Sequence, residues 1–215
     1  MSSPGAVRQG KLLWSGRLLG VQPRIDLVRS FDQREHNYLG YLLLLDGLLG
    51  DRAGRFSLRI GPAAHAKHGF RAGMVLRGQA QWVVDPDREV ADAYKVSQLQ
   101  VVEAGAQATQ APPWLGAPPP LAVYRERGHR RLNAATYDSA CGACQWGCRM
   151  PVTLIVDQWN PADRRYRFET FCYGPKSCAL YRPGPNRKVP GRKGTSWEEE
   201  DWVDVEATAH RGPDD

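Results

Sequence analysis

Five cysteines fall within 38 of the 215 residues, in the stretches Cys141-Gly-Ala-Cys144-Gln-Trp-Gly-Cys148 and Cys172-Tyr-Gly-Pro-Lys-Ser-Cys178. Thiols at this density either pair as disulfides or bind a soft metal. The N-terminus, "MSSPGAVRQGKLLW", has no basic start and long apolar segment, and no run of 18 apolar residues occurs, so a soluble cytoplasmic chain is expected. In reducing cytosol, an odd cysteine count with one Cys-x2-Cys pair is the pattern of metal ligation. A structural zinc takes four ligands in a closed tetrahedron, and a tight turn lets Cys141 and Cys144 bite one ion while Cys172 and Cys178 supply a wider pair. Cys148 is then a spare, or it replaces one of the four. The rival is an iron-sulfur cluster on Cys-x2-Cys-x3-Cys plus one distant thiol, although the spacing is not that of the bacterial ferredoxin run. Cys148 separates the two, as spare beside zinc or as third ligand of a cluster.

These thiols need elements that bring 141–148 and 172–178 together. After Cys148, "MPVTLIVDQW" reads as a strand, Asn160-Pro161 as a turn, and "RRYRFETFCYG" as the returning strand, with Tyr166, Phe168 and Thr170 alternating with Arg165, Arg167 and Glu169. The hairpin carries Cys172 back beside the first cysteines, a layout that resembles a zinc ribbon. So small a module draws much of its folding energy from the metal.

Before position 105 the apolar pattern forms five short runs, at 12–21, 38–47, 55–61, 73–84 and 94–103. Phe56, Leu58 and Ile60 alternate with Arg55, Ser57 and Arg59, as in a strand with one packed face. Between the third and fourth runs, "PAAHAKHGF" reads as a helix with Pro62 in its first turn and Gly69 as its stop. The order β-β-β-α-β-β, with "FRAGMVLRGQAQWV" as fourth strand, resembles the OB-fold, a five-stranded barrel. The resemblance implies single-stranded nucleic acid on the outer face of strands two and three, through Tyr38, Tyr41, Arg55 and Arg59. The loop before strand two adds Arg24, Arg29, Phe31, Arg34 and His36 for stacking and phosphate contact. Against this, the tyrosines can simply pack, and Arg29 and Arg34 can pair with Asp32 and Glu35.

Charge is unevenly spread. Residues 1–105 carry +4, residues 123–193 carry +9 and residues 194–215 carry −7, within a formal total of +6. The basic centre includes Arg130 and Arg131 before the cysteines and Arg165 and Arg167 on the hairpin, all candidates for nucleic-acid contact. "AGAQATQAPPWLGAPPPLA" reads as a semi-rigid proline-rich spacer. In the tail, Ser196 followed by Glu199 predicts a capping box and a short acidic helix from about Trp197. The helix is expected to cover the basic surface, to recruit a protein, or simply to pack on the chain with a solvated charged face.

The expected organisation is mainly β: an OB-like barrel over 8–104, a proline-rich linker over 105–122, a zinc-ribbon-like cysteine module over 123–182, and a basic strip with an acidic helix over 183–215. No nucleotide loop, nucleophile elbow, HExxH or dinucleotide fingerprint occurs, so no catalytic residues are assigned. The expected function is binding of single-stranded DNA or RNA, or structured RNA, with a structural Zn2+. The alternatives are an interaction scaffold docking on a larger enzyme complex, and an iron-sulfur protein with redox or radical chemistry. No membrane partner is expected.

Overall fold

A computed structural model describes residues 10–30, 33–105, 111–157, 159–160 and 162–215. The ten strands are β1 Leu12–Arg29, β2 Arg34–Leu49, β3 Arg52–Ile60, β4 Val75–Trp82, β5 Ala93–Glu103, β6 Arg130–Arg131, β7 Gly147–Ile155, β8 Arg164–Cys172, β9 Arg187–Pro190 and β10 Ser196–Glu199. The helices are α1 Pro62–His68, α2 Leu121–Arg127, α3 Ala134–Thr136 and α4 Asp201–Ala207. No helix among the described residues is long and apolar enough to cross a membrane.

Five strands close on themselves. β1 pairs antiparallel with both β2 and β4, β2 pairs with β3, β4 with β5, and the parallel bridge Leu58–Ala93 joins β3 to β5. The alternation anticipated for β3 is realised: Phe56, Leu58 and Ile60 are buried with Trp14, Leu43, Leu45 and Leu76. Burial of each such side chain stabilises the ring by about 1.5–3 kcal/mol. Helix α1 lies between β3 and β4, with Pro62 in its first turn and Gly69 ending it at φ 56°.

Three features differ from the sequence-based expectation. The stretch expected as a binding loop is a β ladder in which β1 runs on to Arg29 and β2 begins at Arg34. The cause is alternation: Ile25, Leu27 and Arg29 turn inward while Arg24, Asp26 and Val28 are only partly covered. Second, the cysteine-rich half is not set apart. β7 pairs parallel with the end of β1, at Leu27–Val152 through Arg29–Leu154, and β8 and β6 follow. Met150, Val152, Leu154, Phe171 and Tyr173 therefore share one core with the ring. The described part of the segment joining the halves, residues 111–120, is a strap, because its carbonyls are captured by side chains and amides on both sides. Tyr41 Oη donates to the Pro119 carbonyl, His65 Nε2 lies 3.0 Å from that of Pro118, and the Gln145 amide donates to Trp114. Third, Ser196–Glu199 is not a capping box. It is a strand against β9, and the helix starts only at Asp201, because strand alternation is what sends Glu199 inward to Arg29.

Candidate metal centre

The Cys141–Cys144 turn is fixed by its neighbours before any metal is considered. Asn133 caps the start of α3 by accepting the Thr136 amide, the chain tightens through Tyr137–Cys141, and the Cys144 amide donates to the Cys141 carbonyl at 3.1 Å. From β1, buried Gln22 donates to the carbonyls of both Cys141 (2.9 Å) and Cys144 (3.0 Å), and its Oε1 accepts from Tyr137 Oη at 2.7 Å. One amide side chain thus welds the cysteine turn to the ring. Gly20 permits the approach, since a Cβ there would lie 2.0 Å from the Ala143 carbonyl oxygen. Sequence inspection passed over both residues. A glycine inside a strand run is a signal of close backbone approach, and Gly20 carried it.

Cys172 ends β8, where its Sγ accepts the Gly174 amide at 3.4 Å, and Cys178 follows in a turn closed by its own amide on the Pro175 carbonyl. Cys141, Cys144 and Cys172 share a small buried cluster with Leu132 and Tyr137, while Cys178 is half-buried. All five cysteines are free. Burial pushes the Cys141 thiol up to about 12, and the neighbouring Cys172, Cys144 and Cys178 add to the shift. Burial also raises Cys144 to about 11, against the opposing pull of backbone N–H groups at Trp146 and Trp114. Cys172 is likewise raised by burial and eased downward by the Gly174 amide and Arg130.

Cys148 has other company. It is fully buried in the main core, its Sγ donates to the Pro23 carbonyl at 3.4 Å, and burial and then Asp26 hold its thiol well above the ordinary value. The other four thiols influence one another; Cys148 instead influences the hydroxyls of Tyr38, Tyr124, Tyr137 and Tyr173.

Three arginines grip the chain after Cys172 by successive carbonyls. Arg127 Nε donates to Tyr173, Arg211 Nη2 to Gly174 and Arg130 Nη2 to Pro175, at 2.8, 2.6 and 2.9 Å. Arg127 also lies over the Trp146 ring and Arg130 over Tyr181. Arg127 Nη2 and Arg211 Nε are buried with no acceptor at hydrogen-bond distance. These arginines donate to main-chain carbonyls, while burial raises the thiols and only Cys144 and Cys172 are eased downward by neighbouring donors. Among the described residues, no three His, Cys, Asp or Glu side chains stand together as a group able to hold a metal ion.

The arginines and tyrosines assigned to nucleic acid are mostly engaged within the protein. Arg24 and Arg59 both donate to Glu89. Arg29, 2% exposed, pairs with Glu199 and Glu169, and Arg34 joins it on Glu199. Arg131, fully buried, binds Asp204, Asp201 and the Glu199 carbonyl. Arg167 pairs with Glu169. Tyr41 is buried, and Tyr38 is half-buried beneath the Arg125 guanidinium. Phe31 lies outside the described residues. Arg55 and Arg165 remain exposed. Arg55 lines a groove of about 510 Å³ between the outer face of β2–β3 and the cysteine turn, with Leu42, Leu44, Asp138 and Arg149. Arg149, which the sequence reading did not assign to nucleic acid, is exposed and lies over Phe168. Comparison of the chain with protein-family models, curated proteins and solved structures found no match.

Proposed function

We propose that this protein binds single-stranded nucleic acid, along the groove between the outer face of β2–β3 and the cysteine turn, and that the five-stranded ring is an OB-type barrel. The observation that carries the reading is the pair of exposed guanidiniums, Arg55 and Arg149, facing one groove across the apolar side chains of Leu42 and Leu44. Guanidiniums supply phosphate contacts and planar surfaces on which bases stack, and leucines supply an apolar floor. The ring order, with α1 between β3 and β4, supports the barrel reading. Cys141, Cys144, Cys172 and Cys178 are the residues that would hold a zinc ion, whose contribution is to cross-link the wall of the groove to the end of β8. The Gln22 anchor then couples that centre to the ring.

Fluorescence anisotropy with labelled oligodeoxythymidine and oligouridine tests this. Wild-type affinity is expected to fall as salt rises. Replacing Arg55 and Arg149 together by alanine is expected to flatten the log–log salt dependence by about 1.4, roughly 0.7 for each lost phosphate contact. Absence of binding by the wild type at low salt would refute the reading. The scaffold reading keeps one observation in its favour, the exposure of Trp202 and Val205 on α4, at 54% and 68%.

A further inference from the structure

A second recess, of about 520 Å³, lies on the far side of the Glu89 contacts, among α1, β3 and β5. Its floor is apolar, formed by Leu39, Ile60, Ala64, Val96 and Leu99, and Arg24, Arg59 and Lys95 make its rim cationic, with His68 beside them. Glu89 and Asp26 stand against Arg24 and Arg59. Lys95 has no carboxylate partner among the described residues. Its ammonium is 5.0 Å from the centre of the Tyr94 ring, and the Arg59 guanidinium is 4.7 Å from the centre of the same ring. Both cations thus border one ring, Arg59 with Glu89 beside it and Lys95 with no carboxylate.

Lys95 sits at a bulge in β5. Against β4, β5 carries an extra residue between the pairs Gln81–Tyr94 and Gln79–Ser97, and Lys95 lies there at φ 51°. Glycine is the usual residue at such a bulge, because a side chain is strained in the left-handed region. Lys95 holds its charge at the rim from this strained conformation, which recurs at Gln98 in the next bulge of β5, also at φ 51°.

The geometry points to a binding site for a small anionic amphiphile, with a carboxylate or phosphate monoester head between Lys95 and Arg59 and an aliphatic or aromatic body over Leu39, Val96 and Leu99. This site is separate from the Arg55–Arg149 groove and does not depend on the nucleic-acid reading. Calorimetric titration of the full chain with octanoate, octyl phosphate, octyl glucoside and inorganic phosphate tests it. Octanoate or octyl phosphate is expected to bind at least about tenfold more tightly than octyl glucoside, the difference a charge-assisted contact makes. Inorganic phosphate, which lacks the apolar body, is expected to bind more weakly than either. The tighter of the two octyl anions identifies the head group. Lys95→Gly is expected to raise Tm while weakening anion binding about tenfold, opposite signs that a purely structural lysine would not give. Leu39→Ser, at an exposed position, is expected to weaken the octyl anions and leave oligonucleotide affinity unchanged. Octyl glucoside binding as tightly as octanoate and octyl phosphate, or Lys95→Gly leaving octyl-anion affinity unchanged, overturns the proposal. Octyl-anion binding without oligonucleotide binding would uphold this site and reject the nucleic-acid reading.

Discussion

A buried thiol beside other thiols keeps its proton unless a cation makes the thiolate worth forming. Cys141 and Cys144 are in that position, raised by burial and crowded by their neighbours, with backbone N–H groups easing Cys144 and the Gly174 amide and Arg130 easing Cys172. Cys148 lacks that setting, because its neighbours are tyrosine hydroxyls and Asp26. The two kinds of cysteine should therefore respond differently to the same substitution. On the proposed zinc reading, wild type carries about one zinc ion per chain, Cys144→Ser is expected to lose it, and Cys148→Ser to retain it while losing about 1–3 kcal/mol of stability for burying a hydroxyl. Elemental analysis of the purified variants, with an absorbance spectrum, decides it. Metal loss in Cys148→Ser together with a brown chromophore would identify a cluster ligated by Cys148 instead. The cysteine types and spacings were legible in the sequence, since thiol chemistry is local. Gln22 was not, because nothing in its own neighbourhood reveals two carbonyls 119 and 122 residues away.

At the scale of elements, strand alternation was readable and strand partners were not. The β3 pattern and the helix from Pro62 followed from periodicity and from punctuation by Pro and Gly. The extension of β1 to Arg29 was obscured because its inward positions end in an arginine, and an arginine enters a core only when an acid meets it. That acid is Glu199, supplied by β10 from 170 residues away. The acidic tail does meet basic residues, but buried ones: Glu199 with Arg29, and Asp204 with Arg131, both nearly or fully enclosed. Removing one partner of such a pair leaves an uncompensated charge, so Glu199→Gln is expected to cost about 3–5 kcal/mol. Urea denaturation measures this, and a loss below about 1 kcal/mol would show that the pair contributes little. Deleting residues 196–215 is accordingly expected to unfold the chain, in place of the tighter nucleic-acid binding expected if an acidic helix merely shielded a surface.

Across the whole molecule, ring, strap, cysteine turn and tail share contacts, so titration at one junction should register in the stability of all of it. His36 and His129 meet with ring centres 4.6 Å apart and planes tilted by 52°, 93 positions apart in sequence, beside Arg29 and Arg34. Burial, and then Arg34 and Arg29, hold His36 at about 4, below its ordinary 6.5. Burial likewise holds His129 well below that value, and His65 is lowered too. Because the unfolded chain takes up these protons more readily, the contribution is complete above pH 6.5 and is lost as pH falls toward 4. Asp26 runs the other way: burial raises it from 3.8 to about 6, so its contribution is complete below pH 3.8 and lost as pH rises through 6. Asp204 is raised by burial in the same sense and, despite its burial, Glu89 is lowered by Arg24 and Arg59, so three histidines and a glutamate stand against two aspartates. Urea unfolding is expected to show one transition and lower stability at pH 4.5 than at pH 7.5, with up to about 3 kcal/mol of the difference from His36. A flat profile, or an unchanged one in His36→Gln, would contradict this. The sequence by itself determined what nearest neighbours control: which runs alternate, where Pro and Gly punctuate them, and which thiols lie close enough in sequence to act together. Only the tertiary structure decided which charges are enclosed, that the proline-rich segment is a strap, and that Cys148 belongs to a different core. Each of those depends on pairings between residues far apart in sequence, whose energies arise only when the sheet brings them together.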